Sequence, residues 1–204
     1  GIARLSPELD FRQVMARIRR VIETIEPHDS PERYRRLGVD VIEGEARLRS
    51  PWEVEVNGQT LSARAIVLAT GAEPLVPQLP GLEAAGYLTS DTLWSLDELP
   101  VHLVVLGGGP IGCELAQAFS RLGSKVTVIE MSDRLLPRED ADVGELLRQH
   151  FEREGIQTAT GCKAVRVDEG THLVCERDSE EIRFKFDRLL IAPGRKARTT
   201  GFGL

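Results

Sequence analysis

Aromatic residues are scarce in this chain, at 5% of 204 residues. No apolar run comes near the roughly 18 residues that a membrane-spanning helix needs, so no membrane association is expected. Basic residues are in deficit as well: 26 Lys and Arg stand against 32 Asp and Glu, a net charge of −6. Proteins that hold nucleic acid by neutralising phosphates carry the opposite balance, so nucleic acid is not an expected partner. Cysteine is rare too. Cys113, Cys162 and Cys175 are too few for a disulfide scaffold, form no CxxC pair and match no zinc-ligand spacing. No metal site is expected, and the expected compartment is a reducing cytoplasm. No secretory leader is recognisable, and the chain starts at Gly1 rather than Met, as a trimmed chain or a fragment does. What is present is ordinary for a folded protein: 41% hydrophobic and 28% charged residues, enough for one large domain or two small ones.

The spacing predicts an amphipathic helix over residues 7–26, with Ser6 as cap and Pro7 in the first turn. Phe11, Val14, Met15, Ile18, Val21, Ile22 and Ile25 form its apolar stripe, and Arg12, Arg17, Arg19 and Arg20 a solvated face. A short helix follows, capped by Asp29 or Ser30. The period then changes to two, and Val39 to Glu43 reads as a strand. Asn57-Gly58 between Trp52–Val56 and Gln59–Leu61 is a hairpin signal, since both residues accept positive φ. Ala65 to Ala69 reads as a strand buried on both faces, and a proline-rich link from Pro74 to Gly81 is the candidate domain boundary.

The clearest unit lies between residues 101 and 130. Val101 to Leu106 is a buried-type strand, Cys113 to Leu122 a helix closed by Gly123, and Lys125 to Glu130 a second strand. Strand, helix and strand in so short a span imply a crossover and a parallel pair. A further helix over 140–154 precedes an antiparallel meander (164–167, 173–176, 182–186) and one more buried strand, Leu189 to Ala192.

Gly107-x-Gly109-x-x-Gly112 joins the first strand to the helix, and the acidic Glu130 ends the second strand. A glycine-rich turn alone is weak evidence. With the strand before it, the helix and strand after it and the acid at that strand's tip, it is the dinucleotide-binding fingerprint. Gly107 permits the sharp turn, Gly109 lets a pyrophosphate approach the backbone, and Gly112 lets the helix pack close. Gly108, Pro110 and Ile111 complete the turn, Pro110 with a φ suited to a first helical turn but no N–H to offer. Glu130, with Met131 beside it, is expected to accept from the ribose hydroxyls of adenosine. A carboxylate there repels a 2′-phosphate, so NAD is favoured over NADP, with Arg134 placed to soften the preference. Glu114 is either simply exposed on the helix or, among small apolar neighbours, a buried or half-buried carboxylate. Cys113 reads as a packing residue rather than a nucleophile. His172 and Cys175, three apart on a strand, fall on opposite faces.

The run VVLGGGPIGCELAQAFSRLGSKVTVIE, with IVLATGAEP before it and LLIAPGRKA after it, strongly resembles the pyridine nucleotide-disulfide oxidoreductases. HDSPERY, LTSDTLW and RLLPRED are similar to the mercuric-reductase-like branch, and the resemblance covers essentially the whole chain. It implies an α/β fold: a Rossmann-like doubly wound parallel sheet with an antiparallel β-meander, in two nested nucleotide-binding domains of which the FAD domain is incomplete. It divides the chain into 1–88, the later part of the FAD domain (helix plus β-meander); 89–187, an NAD(P)H-binding domain; and 188–204, a return strand. It implies NAD(H) and FAD as cofactors and a homodimeric full-length protein. By resemblance Thr70 and Gly71 lie by the FAD and Glu45-Ala46 near its adenine. Glu114 falls near the nicotinamide, Cys162 in the adenine pocket, and Ala192 to Gly194 at the nicotinamide half.

The chain departs from the family in what it lacks. It carries no GxGxxG before residue 107, no CxxxxC redox pair and no segment resembling the interface domain. No catalytic residue is therefore assigned within it. The resulting expectation is the NAD(P)H-binding portion of an FAD-dependent oxidoreductase that passes hydride from NADH to flavin, inactive by itself. The alternative is a non-catalytic dinucleotide-binding module. A Rossmann methyltransferase is disfavoured, because it leaves the ATG and APGR strand ends unexplained.

Overall fold

The protein was analysed as a computed structural model, which describes residues 9–203. Two compact units divide the chain. One comprises Pro74–Arg195 together with the residues before Ala16; the other comprises Ala16–Glu73 together with the chain from Lys196.

Helix α1 (Phe11–Ile25) runs across the first boundary. Asp10 starts it, its carboxylate accepting the N–H groups of Arg12 at 3.0 Å and Gln13 at 3.3 Å. The Ser6 cap and Pro7 lie outside the described residues. Only the start of the apolar stripe is covered: Phe11 and Met15 are buried, while Val21, Ile22 and Ile25 are about half exposed. Helix α2 (Pro31–Arg36) is capped by Ser30 rather than Asp29, the Ser30 hydroxyl accepting from Arg33 N–H at 3.3 Å.

Two expected strands of this unit do not form. Val39 to Glu43 is irregular, and the first strand is instead β1 (Ala46–Ser50). It pairs antiparallel with β2 (Glu53–Val56), which pairs with β3 (Gln59–Ser62). Asn57 (φ 52°) and Gly58 (φ 76°) make the expected two-residue turn. Ala65 to Ala69 is not a buried strand: it has no regular structure, and Val67 is 87% exposed. A strand needs a neighbour for its backbone ladder, and among the described residues none pairs with either segment. Short β4 (Ala72–Pro74) leads out of this unit.

The larger unit contains α3 (Leu82–Ala85), β5 (His102–Leu106), α4 (Pro110–Leu122), β6 (Lys125–Ile129), α5 (Ala141–Arg153) and β7 (Gln157–Ala159). Then come β8 (Lys163–Asp168), β9 (His172–Arg177), β10 (Glu180–Lys185) and β11 (Arg188–Ile191). The chain then re-enters the smaller unit, where β12 (Arg195–Ala197) pairs with β4. The architecture is mixed α/β. A four-stranded parallel sheet in the order β11-β5-β6-β7 stands beside the antiparallel meander β10-β9-β8.

The near-continuous apolar runs of β5, β6 and β11 are explained by burial on both faces. Val104, Val105, Val128, Ile129, Leu189, Leu190 and Ile191 are all at most 1% exposed. Leu88 extends the edge, donating to the Leu189 carbonyl and accepting from Ile191 N–H. Phe11 packs tilted against Phe119 of α4, ring centroids 6.2 Å apart. Gly123 ends α4 in a left-handed conformation at φ 114°. Among the described residues, no helix is long and apolar enough to cross a membrane and no group of His, Cys, Asp or Glu is placed to hold a metal ion.

Candidate functional site

The turn from β5 into α4 is built by close backbone approaches. Gly107, at φ 118°, has the Ala192 carbonyl oxygen 2.3 Å from where a Cβ would stand. At Gly112 a Cβ would stand 2.0 Å from the Gly107 carbonyl oxygen, so only glycine lets α4 sit this close to the turn. Under Gly108 the same position falls 2.8 Å from Leu135 and 3.0 Å from Glu130. Gly109 differs from all three. Nothing lies within 4 Å of its Cβ position, and its backbone is extended (φ −76°, ψ 179°). The turn therefore opens to an empty space at one glycine and is packed shut at the others.

That space faces the start of α4. Pro110 occupies its first turn, and no side chain caps it. The first intrahelical bond is Cys113 N–H to the Gly109 carbonyl at 2.9 Å. Among the described residues, the N–H groups of Gly109, Ile111 and Gly112 have no acceptor. Free amides at a helix N-terminus, beside an open glycine, make a receptor for a phosphate-like anion.

Glu130 closes the other side. Its carboxylate accepts from Gly108 N–H at 2.7 Å and from Ser132 N–H at 2.8 Å. Its backbone is pinned as well, its N–H to the Ala159 carbonyl at 2.9 Å and its carbonyl to Cys162 N–H at 3.0 Å. The group thus sits half-buried at the end of β6, beside the turn, with lone pairs left for further donors. Cys162 is fully buried in the core under it, and Met131 is 68% exposed.

Other expected residues fall less neatly. Glu114 is exposed on the second turn of α4, not buried: Cys113 and Ala116 are buried, but Leu115 is half-buried and Ala118, one turn on, shares the exposed side. It borders a cleft of about 330 Å³ with Pro110, Gln117 and Leu136. Cys113 is buried and its thiol donates to the Gly108 carbonyl at 3.3 Å. Burial, with the charges of Glu130 and Glu114 behind it, pushes this thiol up to about 12, which suits packing and not nucleophilic attack. Ala192 donates its N–H to the Leu106 carbonyl at 2.7 Å, placing the end of β11 against the turn, and Gly194 follows in an open stretch at φ 156°.

In the smaller unit, Glu45 and Ala46 are exposed at the start of β1, where Glu45 pairs with Arg47 at 3.2 Å. The Thr70 hydroxyl donates to the Arg198 carbonyl at 2.6 Å, and Gly71, at φ 72°, has nothing within 4 Å of its Cβ position.

The sequence marks RLLPRED (134–140), after β6, only by resemblance; its role in bracing the turn is not legible there. Leu136, at φ 48°, donates its N–H to the Gly108 carbonyl at 2.8 Å, and Leu135 is 1% exposed beneath it. The available signal is Gly144 inside α5, where a Cβ would stand 2.5 Å from the Leu135 carbonyl oxygen. Arg134 donates to the Pro137 carbonyl at 3.2 Å, and its buried Nε has no acceptor.

The sequence profile of the family described as pyridine nucleotide-disulphide oxidoreductase matches residues 13–203. The chain belongs to that family. A mercuric reductase from Lysinibacillus sphaericus is 34% identical over 100% of this chain and 38% of its own length. A dihydrolipoyl dehydrogenase from Thermus scotoductus is 36% identical over 81% of this chain and 37% of its own. Among solved structures, the HOCl-induced flavoprotein disulfide reductase RclA from Escherichia coli aligns at 30% identity and a TM-score of 0.76, over 94% of this chain and 44% of that one. The chain thus spans about two-fifths of the family members it matches. Its glycine-rich turn and Glu130 both fall inside the segment shared with the family profile.

Proposed function

We propose that this chain carries the NAD(P)H-binding portion of an FAD-dependent pyridine nucleotide-disulphide oxidoreductase. The observation that carries the reading is the open space at Gly109, faced by free amides of α4 and flanked by the Glu130 carboxylate. A dinucleotide diphosphate fits that space and those donors. Gly107, Gly108, Gly109, Pro110, Ile111 and Gly112 would form its cradle. Glu130 would accept from the adenosine ribose, with Met131 and Cys162 beside the adenine. Glu114, Ala192 and Gly194 would stand toward the nicotinamide half. The carboxylate favours NADH over NADPH.

In the smaller unit, Thr70 and Gly71 would stand by FAD and Glu45-Ala46 near its adenine; the open position at Gly71 lets a ligand approach the backbone there. When both groups are bound, the nicotinamide supplies a hydride to the flavin. This chain's own residues bind and orient, and none is assigned a proton or nucleophile role. The domain reading is 1–88 for the later part of the FAD domain, 89–187 for NAD(P)H and 188–204 for the return strand, in a doubly wound, nested arrangement. The full-length protein is read as a cytoplasmic homodimer.

Calorimetric titration of the chain with NADH and NADPH tests the reading. Saturable binding that favours NADH supports it, and no binding of either overturns it. The second reading, a module that binds without catalysis, is separated by NADH oxidation with an artificial acceptor in the presence of added FAD.

A further inference from the structure

At the end of the parallel sheet opposite the glycine-rich turn, β5 and β6 begin side by side, and His102 and Lys125 are register partners there. Edge strand β10 adds Arg183 and Lys185, alternate residues that share one face of their strand. Together with Thr127 and Gln157 these side chains line a cleft of about 510 Å³, a size that accommodates a metabolite. No acidic residue lines it. Among the described residues Lys125 and Lys185 have no ion-pair partner, while Arg183 faces Asp168 at 3.6 Å and its charge also acts on Glu181. Asp187, which follows Phe186, is held by the backbone, accepting from Val101 N–H at 2.8 Å and His102 N–H at 3.1 Å; it keeps one negative charge near the cleft, against three permanent cations.

Three permanent cations and an imidazole thus gather in one concavity of a chain whose net charge is −6. Like charges placed this close repel unless an anion lies between them. The donors are of the right kind: ammonium, guanidinium, hydroxyl and carboxamide groups all donate to phosphate or carboxylate oxygens. We propose that this cleft is a second ligand site, for a small anion bearing several negative charges of phosphate or carboxylate type. It is separate from the glycine-rich turn, which lies past the other ends of the same strands.

The test is calorimetric titration of the full chain, at low salt, with tripolyphosphate and with citrate. Because tripolyphosphate can also bind the amides of the glycine-rich turn, the cleft is read in Gly109→Val and with citrate, where one saturable site is expected. The double variant Lys125→Gln/Arg183→Gln weakens it by at least about tenfold, as the loss of two cations from a shared site predicts. Gly109→Val leaves it unchanged. Both side chains are exposed, so the double variant keeps the wild-type melting temperature, and the single variant Lys185→Gln gives an independent reading. Binding of both probes, or of tripolyphosphate alone, supports the site and names its preferred chemistry. Absence of saturation at millimolar probe, wild-type affinity in the double variant, or loss of binding in Gly109→Val overturns it.

Discussion

The carboxylate of Glu130 accepts the N–H of Gly108 at 2.7 Å, tying the tip of β6 to the turn that follows β5. One acidic side chain therefore shapes the glycine-rich turn and also stands where a ribose would be held. Glu130→Gln keeps the shape but sets an amide donor against one of two N–H groups, since Ser132 occupies the other oxygen. Loss of a half-buried charge-assisted bond costs about 1–3 kcal/mol. Urea unfolding is expected to show a loss in that range, and an unchanged midpoint would remove the structural half of the role. Glu130→Arg tests the other half through a ratio: the affinity for NADH relative to NADPH is expected to fall, whatever the loss in stability.

Gly109 and Gly112 are expected to behave oppositely, though both belong to one motif. Valine at 109 meets open space at a φ of −76°, so the chain folds with its melting temperature unchanged while NADH binding is lost. Alanine at 112 places a methyl group 2.0 Å from the Gly107 oxygen and forces α4 off the turn. Thermal melts of Gly112→Ala are expected to show destabilisation of about 1–3 kcal/mol, the range for an overpacked contact. Equal melting temperatures for the two variants would contradict the packing described.

Stability is expected to fall in alkaline solution. Burial pushes the thiols of Cys113 and Cys175 up to about 12, from the ordinary cysteine value shown by the unfolded chain. A group that titrates higher when folded binds its proton more tightly in the folded state. Its contribution is complete below the unfolded value of about 8.5 and is lost as pH rises from there toward 12, by up to about 1.4 kcal/mol per pH unit per thiol. Denaturant midpoints at pH 7 and pH 10 measure this, and Cys113→Ala/Cys175→Ala is expected to flatten the dependence. The native thiols should also label slowly with iodoacetamide and react fully in denaturant.

Two apolar runs that look alike in the sequence are expected to respond differently to substitution. Val67, 87% exposed, should tolerate Asp within about 0.5 kcal/mol. Leu190, 1% exposed in β11, should lose about 2–5 kcal/mol on change to Ala. Comparable losses at both positions would mean that Ala65 to Ala69 is covered after all.

Parts of both units were legible in the chain because their signals are local. Asn57-Gly58, Gly123 and the switch from a period of two to a helical stripe each act over a few bonds, and the hairpin, the α4 terminus and the β8-β9-β10 meander follow them. The exposure of Glu114 was left open by the sequence, because small neighbours identify an apolar helix face without saying on which side of it a given carboxylate falls. The bracing role of Leu135 and Leu136 was not visible: RLLPRED is marked only by resemblance, and the brace depends on Gly144 of α5 closing against it. Val39 to Glu43 and Ala65 to Ala69 have the composition of strands and no neighbour to pair with.

The sequence by itself determined that a strand, a glycine turn, a helix and an acid-tipped strand follow one another, since glycine's missing Cβ and apolar periodicity act through the local backbone. Tertiary structure alone decided which atoms pack against the closed glycines, which carboxylate oxygens are already engaged, and which apolar runs find cover. Those outcomes depend on atoms far apart in the chain, Ala192 against Gly107 and Gly144 against Leu135, whose distances no linear pattern contains.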